Sequence, residues 1–149
     1  MIDGVYCTKL NIISTPGGDV LHAMKNIDNG FVDFGEAYFS EIEFNKVKAW
    51  KRHTKMTLNL VVPVGRIKFV LFDDRMAGIS IQFQEIKMSR ENYFRLTIPP
   101  MIWVGCIRPE TDIYRFTLFH KSINIGQYLS EGLGVNLPGA NWLCAMILV

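Results

Sequence analysis

The stretch from Val47 to Arg75, "VKAWKRHTKMTLNLVVPVGRIKFVLFDDR", decides the fold. Its apolar residues fall in short runs rich in Val, Leu, Ile and Phe, and Pro63-Val64-Gly65 sits between two of them as turn chemistry. The spacing predicts strands over Val47 to Arg52, Met56 to Val62 and Arg66 to Phe72, joined by short loops. The same stretch carries seven basic side chains, one histidine and two adjacent aspartates, where a β-domain should be building its core.

The pattern repeats outward along the chain. Further strands are expected over Tyr6 to Ile13, Asp19 to Lys25, Glu36 to Phe44, Ile79 to Ile86, Tyr93 to Ile98, Trp103 to Ile107 and Ile113 to Phe119. Turn signals separate them, including Thr15-Pro-Gly-Gly, Asp28-Asn-Gly and Asp73-Asp-Arg-Met-Ala-Gly. The one candidate helix, Gly126 to Leu133, is short and flanked by glycines. An all-β sandwich, barrel or jelly roll follows. With no repeat or low-complexity linker to mark a boundary, residues 1–149 are expected to form a single domain.

Composition narrows the function. A chain of 149 residues that is 49% hydrophobic can bury a substantial core. Sixteen basic against fourteen acidic residues leave a net charge of +2, too little for a general nucleic-acid surface, so any anion binding must be local. Cys7, Cys106 and Cys144 are odd in number, far apart and without a CxxC, which points to a reduced, cytoplasmic protein rather than a disulfide framework or zinc site. No basic leader or run of about 18 apolar residues marks a targeting segment or membrane span. The apolar tail from Trp142 to Val149 is expected to be a buried terminal strand or a loosely ordered end.

Strand alternation puts Val47, Ala49, Lys51 and His53 on one face and Lys48, Trp50 and Arg52 on the other. One face must look into the sandwich, and a cation without a partner is costly there unless an anion fills the cavity. A ligand such as a diphosphate is one reading. An edge strand whose lysines discourage sheet pairing is the other.

At this point the residues resemble a known family. "FGEAYFSEIEFNKVKAWKRHTKMTLNLVVPVGRIKFVLFDDR" followed by "NYFRLTIPPMIWVGC" is similar to RmlC-like cupins that act on nucleotide-linked 4-keto sugars. These include dTDP-4-dehydrorhamnose 3,5-epimerase-related proteins and dTDP-sugar 3,4-ketoisomerases. The likeness covers roughly Asp3 to Lys121 and leaves a tail from about 122 that diverges. It implies a cupin-type jelly roll, usually a homodimer, that uses neither metal nor another cofactor in bacterial surface polysaccharide (O-antigen) biosynthesis. A base removes the acidic proton beside the ketone and an acid returns one.

The resemblance makes His53 the candidate base, because the second histidine of the ketoisomerases' Arg-Gly-x-His-Ala-His run precedes a glycine turn by the 12 residues that separate His53 from Gly65. It makes Tyr38 the candidate acid, on the strand before. The first histidine of that run falls on Lys51, its arginine on Lys48 and its glycine on Ala49. The catalytic histidine of the 3,5-epimerases also falls on Lys51, and their lysine on Leu58, so two epimerase groups are replaced. Lys48, Lys51, Arg52, Arg66 and Lys68 form the pool of expected diphosphate contacts, and Trp103, after the Pro99-Pro100 turn, could stack on sugar or base. His22 and His120 read as structural, and Asp73-Asp74-Arg75 as a turn whose carboxylates cap backbone amides. The metal-binding cupin pattern of His-x-His with a later glutamate and histidine is absent, as the lone His53 cannot supply it. Three classes remain: an isomerase or epimerase, an inert cupin that binds nucleotide sugar or a partner enzyme, and a structural subunit.

Overall fold

The computed structural model describes residues 1–44, 46–76 and 82–108, and the backbone of 143–148. Within them lie β1 (Tyr6–Lys9), β2 (Ile12–Thr15), β3 (Gly18–Leu21), β4 (Glu36–Glu41), β5 (Val47–Arg52), β6 (Leu58–Val61), β7 (Arg66–Asp73), β8 (Gln82–Ser89), β9 (Phe94–Ile98), β10 (Trp103–Ile107) and β11 (Leu143–Leu148), and no helix. The all-β expectation holds. Tyr6 to Ile13 divides into β1 and the first strand of the β2–β3 hairpin, whose turn uses Gly17 at φ 99°. The apolar tail supplies β11. The strand expected at Ile113 to Phe119, the helix at Gly126 to Leu133 and His120 lie outside the described residues.

Apart from the two-stranded β2–β3 hairpin, the described strands form two antiparallel sheets, ordered β1-β9-β6-β11-β4 and β5-β10-β7-β8. Their facing sides carry the apolar sets that the sequence spaces two apart. Leu58 and Leu60 of β6 and Leu96 and Ile98 of β9 form one core cluster with Ile67, Phe69 and Leu71 of β7, Ile86 and Met88 of β8, and Val104 of β10. Complete burial of such side chains contributes about 1.5–3 kcal/mol each. β4 and β5 end their respective sheets, so one side of the sandwich is framed by these two strands.

A polar network seals the other face of the five-stranded sheet. Arg95, fully buried, donates to the carbonyls of Ala23 (2.9 Å) and Asn29 (2.7 Å) and to Asp28 Oδ2 (2.9 Å). Asn59 donates to the Gly30 carbonyl at 3.0 Å and accepts from Thr97 Oγ1 at 2.7 Å. Gly30 has φ 93°, and a Cβ there would lie 2.7 Å from the Tyr6 hydroxyl, so only glycine lets the segment lie this close. The Asp28-Asn-Gly turn is thus the cover of a sheet and the approach to β4.

Asp73 accepts from the Arg75 backbone N–H at 2.9 Å, the cap expected of this turn. The Arg75 side chain also binds Asp73, which holds that carboxyl below the usual range, and reaches the Asp3 carbonyl at 2.7 Å.

Candidate functional site

β5 does not alternate evenly. Its register against β10 runs Arg52 to Trp103 and Lys51 to Val104, then Lys48 to Cys106 and Val47 to Ile107. Ala49 and Trp50 therefore share the single position of Gly105, a β-bulge. A Cβ on Gly105 would meet the Ala49 Cβ at 3.0 Å, so glycine there leaves room for the two residues of the bulge. The bulge breaks simple alternation for the residues before it: Val47, opposite Ile107, falls on the face of Arg52, and Lys48, opposite Cys106, shares its face with Lys51. Val104 and Cys106, their cross-strand partners, both belong to the core side.

On β4 the matching face carries Glu36, Tyr38 and Ser40, since Tyr38 packs against the core and its neighbours two residues away point the same way. The lysines of β5 reach across to it. Lys48 Nζ donates to Ser40 Oγ at 3.0 Å, and Lys51 Nζ donates to the Tyr38 hydroxyl at 3.3 Å with its ammonium 5.8 Å from the ring centre. His53 follows two residues after Lys51. Its backbone carbonyl accepts from the Met101 N–H at 2.7 Å, and Met101 has the left-handed φ of 70°. That bond fastens the Pro99-Pro100 turn to the end of β5.

His53 Nε2 is buried and has no hydrogen-bond partner among the described residues. Burial holds the imidazole below its ordinary pKa of about 6.5, the Lys51 charge lowers it further, and Glu36 opposes the shift. His53 is therefore a neutral imidazole near pH 7, able to accept a proton. Cys106, whose thiol donates to the Lys48 carbonyl at 3.6 Å, is pushed up to about 11 by burial, which excludes a thiolate nucleophile at neutral pH. Among the described residues no three His, Cys, Asp or Glu side chains gather closely enough to chelate a metal.

The structure thus links Lys48 and Lys51 of β5 to Ser40 and Tyr38 of β4, with His53 two residues beyond Lys51 and within electrostatic reach of Lys51 and Glu36. Arg52 and Trp103 lie on the opposite face of the four-stranded sheet. There the Arg52 guanidinium stacks 4.3 Å from the Trp103 ring, Arg52 pairs with Asp74 at 3.7 Å, and Trp103 Nε1 donates to Asp74 at 3.1 Å. Lys68 is on that face too, paired with Glu85 at 3.5 Å. Arg66, near the start of β7, pairs with Glu91 at 3.8 Å. These four are not gathered with His53. Sequence reasoning missed Glu36 and Ser40, which Tyr38 could have indicated through their spacing of two. A shallow depression lined by Met1, Ile2, Gln82, Phe83 and Gln84 lies elsewhere and gathers no titratable side chain.

Neither the protein-family models nor the curated proteins contain a match to the chain. Solved structures do. A dTDP sugar isomerase from Desulfovibrio desulfuricans G20 is 31% identical, with 98% of this chain and 76% of that one aligned at a TM-score of 0.72. The chain belongs to this family of RmlC-like cupins. Two more distant members bear on the fold alone. A sugar 3,4-ketoisomerase from Thermoanaerobacterium thermosaccharolyticum, solved with TDP, is 14% identical over 99% of this chain and 82% of its own, with a TM-score of 0.65. The RmlC epimerase of Mycobacterium tuberculosis is 9% identical over 99% and 64%, with a TM-score of 0.68. The cupin jelly roll read from the sequence is the fold of this chain.

Proposed function

We propose that this cupin is a metal-independent epimerase or ketoisomerase of a dTDP-type nucleotide 4-keto-6-deoxy sugar. The observation that carries the reading is the 3.3 Å contact of Lys51 with the Tyr38 hydroxyl, with the half-buried His53 two residues beyond Lys51 and under the influence of its charge. His53 takes the acidic proton beside the ketone. The C–H electron pair becomes a C=C bond while the carbonyl π pair moves onto oxygen as an enolate, and Tyr38 donates a proton to carbon or oxygen as the enolate collapses. The family match supports the substrate class, since its 31% identical member is a dTDP sugar isomerase. The product would serve bacterial surface polysaccharide (O-antigen) assembly in the cytoplasm.

Incubation with a panel of dTDP-4-keto-6-deoxy sugars in deuterium oxide tests this reading. Deuterium entering the carbon beside the ketone is expected for at least one substrate. Binding without exchange would instead favour the inert nucleotide-sugar cupin, which the replacement of the family histidine by Lys51 also favours.

Lys48 is the group we assign to the diphosphate. Charge-assisted bonds to phosphate are worth about 1.5–3 kcal/mol, so Lys48→Met is expected to weaken TDP binding by about tenfold or more. Arg66→Met and Lys68→Met, on residues outside the group, should change it less than about twofold. Calorimetric titration with TDP separates these outcomes, and equal losses for all three would refute the assignment.

A homodimer is part of the same proposal. β1 pairs only with β9 among the described strands, and the adjoining hairpin exposes Ile13 and Val20, so Val5 to Ile13 offers an edge for a second copy. Light scattering at micromolar concentration should give twice the chain mass; a monomer would contradict it.

A further inference from the structure

Lys51 stands where the family resemblance places a histidine, and its ammonium meets a phenol. An ammonium has donors only, so the 3.3 Å contact has one possible direction: Lys51 donates and the Tyr38 oxygen accepts. The phenolic hydrogen must then point away from Lys51. We infer that Lys51 is a positioning residue that fixes the direction of proton flow, orienting the Tyr38 O–H as a donor and keeping His53 Nε2 as an acceptor. The inference rests on the isomerase reading above and takes Lys51 out of the pool of diphosphate contacts.

The surroundings agree. Among the described residues, the charged and titratable groups near the pair are Lys48 and Lys51 from β5, His53 just after it, Glu36 from Tyr38's own strand, and Cys106 from β10, which burial keeps as a neutral thiol. β6 contributes Leu58 and Leu60 to this side of its sheet. Lys51 opposes protonation of His53 and Glu36 favours it. The two β5 lysines have separate partners on β4, Ser40 for Lys48 and Tyr38 for Lys51, which is the division of labour proposed here.

Lys51→Met and Lys51→Arg test it in the intact protein. The titration of His53, followed by the ring-carbon NMR signal assigned through His53→Ala, needs no substrate. Lys51→Met should move its midpoint upward, and Lys51→Arg should leave it near the wild-type value. Deuterium exchange into the keto sugar at saturation should fall about tenfold or more in Lys51→Met, with the acid limb of its pH profile shifted upward. Lys51→Arg should recover part of the rate. TDP affinity should change less than about threefold in both variants. An unmoved His53 midpoint, or TDP affinity lost tenfold with exchange at saturation unchanged, overturns the inference. If the wild type exchanges no 4-keto sugar at all, the isomerase reading fails. The His53 titration then still shows whether Lys51 governs the imidazole.

Discussion

Replacing His53 with alanine is expected to lower deuterium exchange into the keto sugar by about 10²- to 10⁴-fold, the range that a positioned general base contributes. The protein should stay folded. His53 Nε2 is buried without a partner among the described residues, so removing the ring also removes a buried polar atom that makes no hydrogen bond there. TDP affinity should be nearly unchanged, because the proposed phosphate contact at Lys48 lies at the other end of β5. The pH profile of the wild type follows from the direction of the His53 shift. Its folded pKa lies below the ordinary value of about 6.5, so the acid limb of exchange should have its midpoint below that pH. Above this midpoint the neutral base is fully present, and activity is lost as pH falls through it. A His53→Ala protein that exchanges at the wild-type rate would remove His53 as the base.

Much of this site was legible because strands expose their pattern. Turn residues and β-branched runs place β5 and β10 at their observed bounds, and the spacing from His53 to Gly65 carries the family motif. Tyr38 entered through the family resemblance, which places a tyrosine on the strand before the histidine. The face of Lys48 was not legible. It depends on a bulge opposite Gly105, and nothing local to β5 announces that one residue of β10 will face two. Arg66 and Lys68 have partners that the sequence does not announce. They pair with Glu91 and Glu85, which lie 17 or more positions away in the chain. Arg52 is the third case: it entered the pool for its charge, and Trp103 and Asp74 occupy it on the opposite face. Composition shows how many cations a chain has. Pairing across a sheet decides which of them can meet a ligand.

Arg95 was not singled out at all, yet its loss is expected to have the largest effect on stability. It reads as one outward position in a strand, and only the fold reveals that the segment from Ala23 to Gly30 covers it. Arg95→Met keeps most of the stem's volume but deletes three hydrogen bonds, two to carbonyls and one to the Asp28 carboxylate. Breaking a buried, hydrogen-bonded charge site costs about 3–5 kcal/mol when the remaining partner stays dry. Asp28 and the loop can regain water, so about 3 kcal/mol is the expected loss, or about 6–12 °C in Tm for a chain of this size. Arg95→Lys should recover only part of it, because a single ammonium lacks the fork that spans Ala23, Asp28 and Asn29. The effect should depend on pH in a definite direction. The Arg95 side chain, and next the Lys25 backbone N–H, hold the Asp28 carboxyl below its ordinary value of about 3.9. A carboxyl depressed in the folded state stabilises fully above its unfolded pKa and loses that contribution as pH falls through the folded one. The gap in Tm between wild type and Arg95→Met should therefore be widest near pH 7 and narrow below about pH 4. Thermal melts at pH 7 and in acid measure both quantities. A gap under about 2 °C at pH 7 would mean that the loop holds to the sheet without Arg95. Because that loop leads directly into β4, the same variant should also slow exchange by displacing Tyr38, and Asn59→Ala, which cuts the neighbouring tie to Gly30, should act in the same direction.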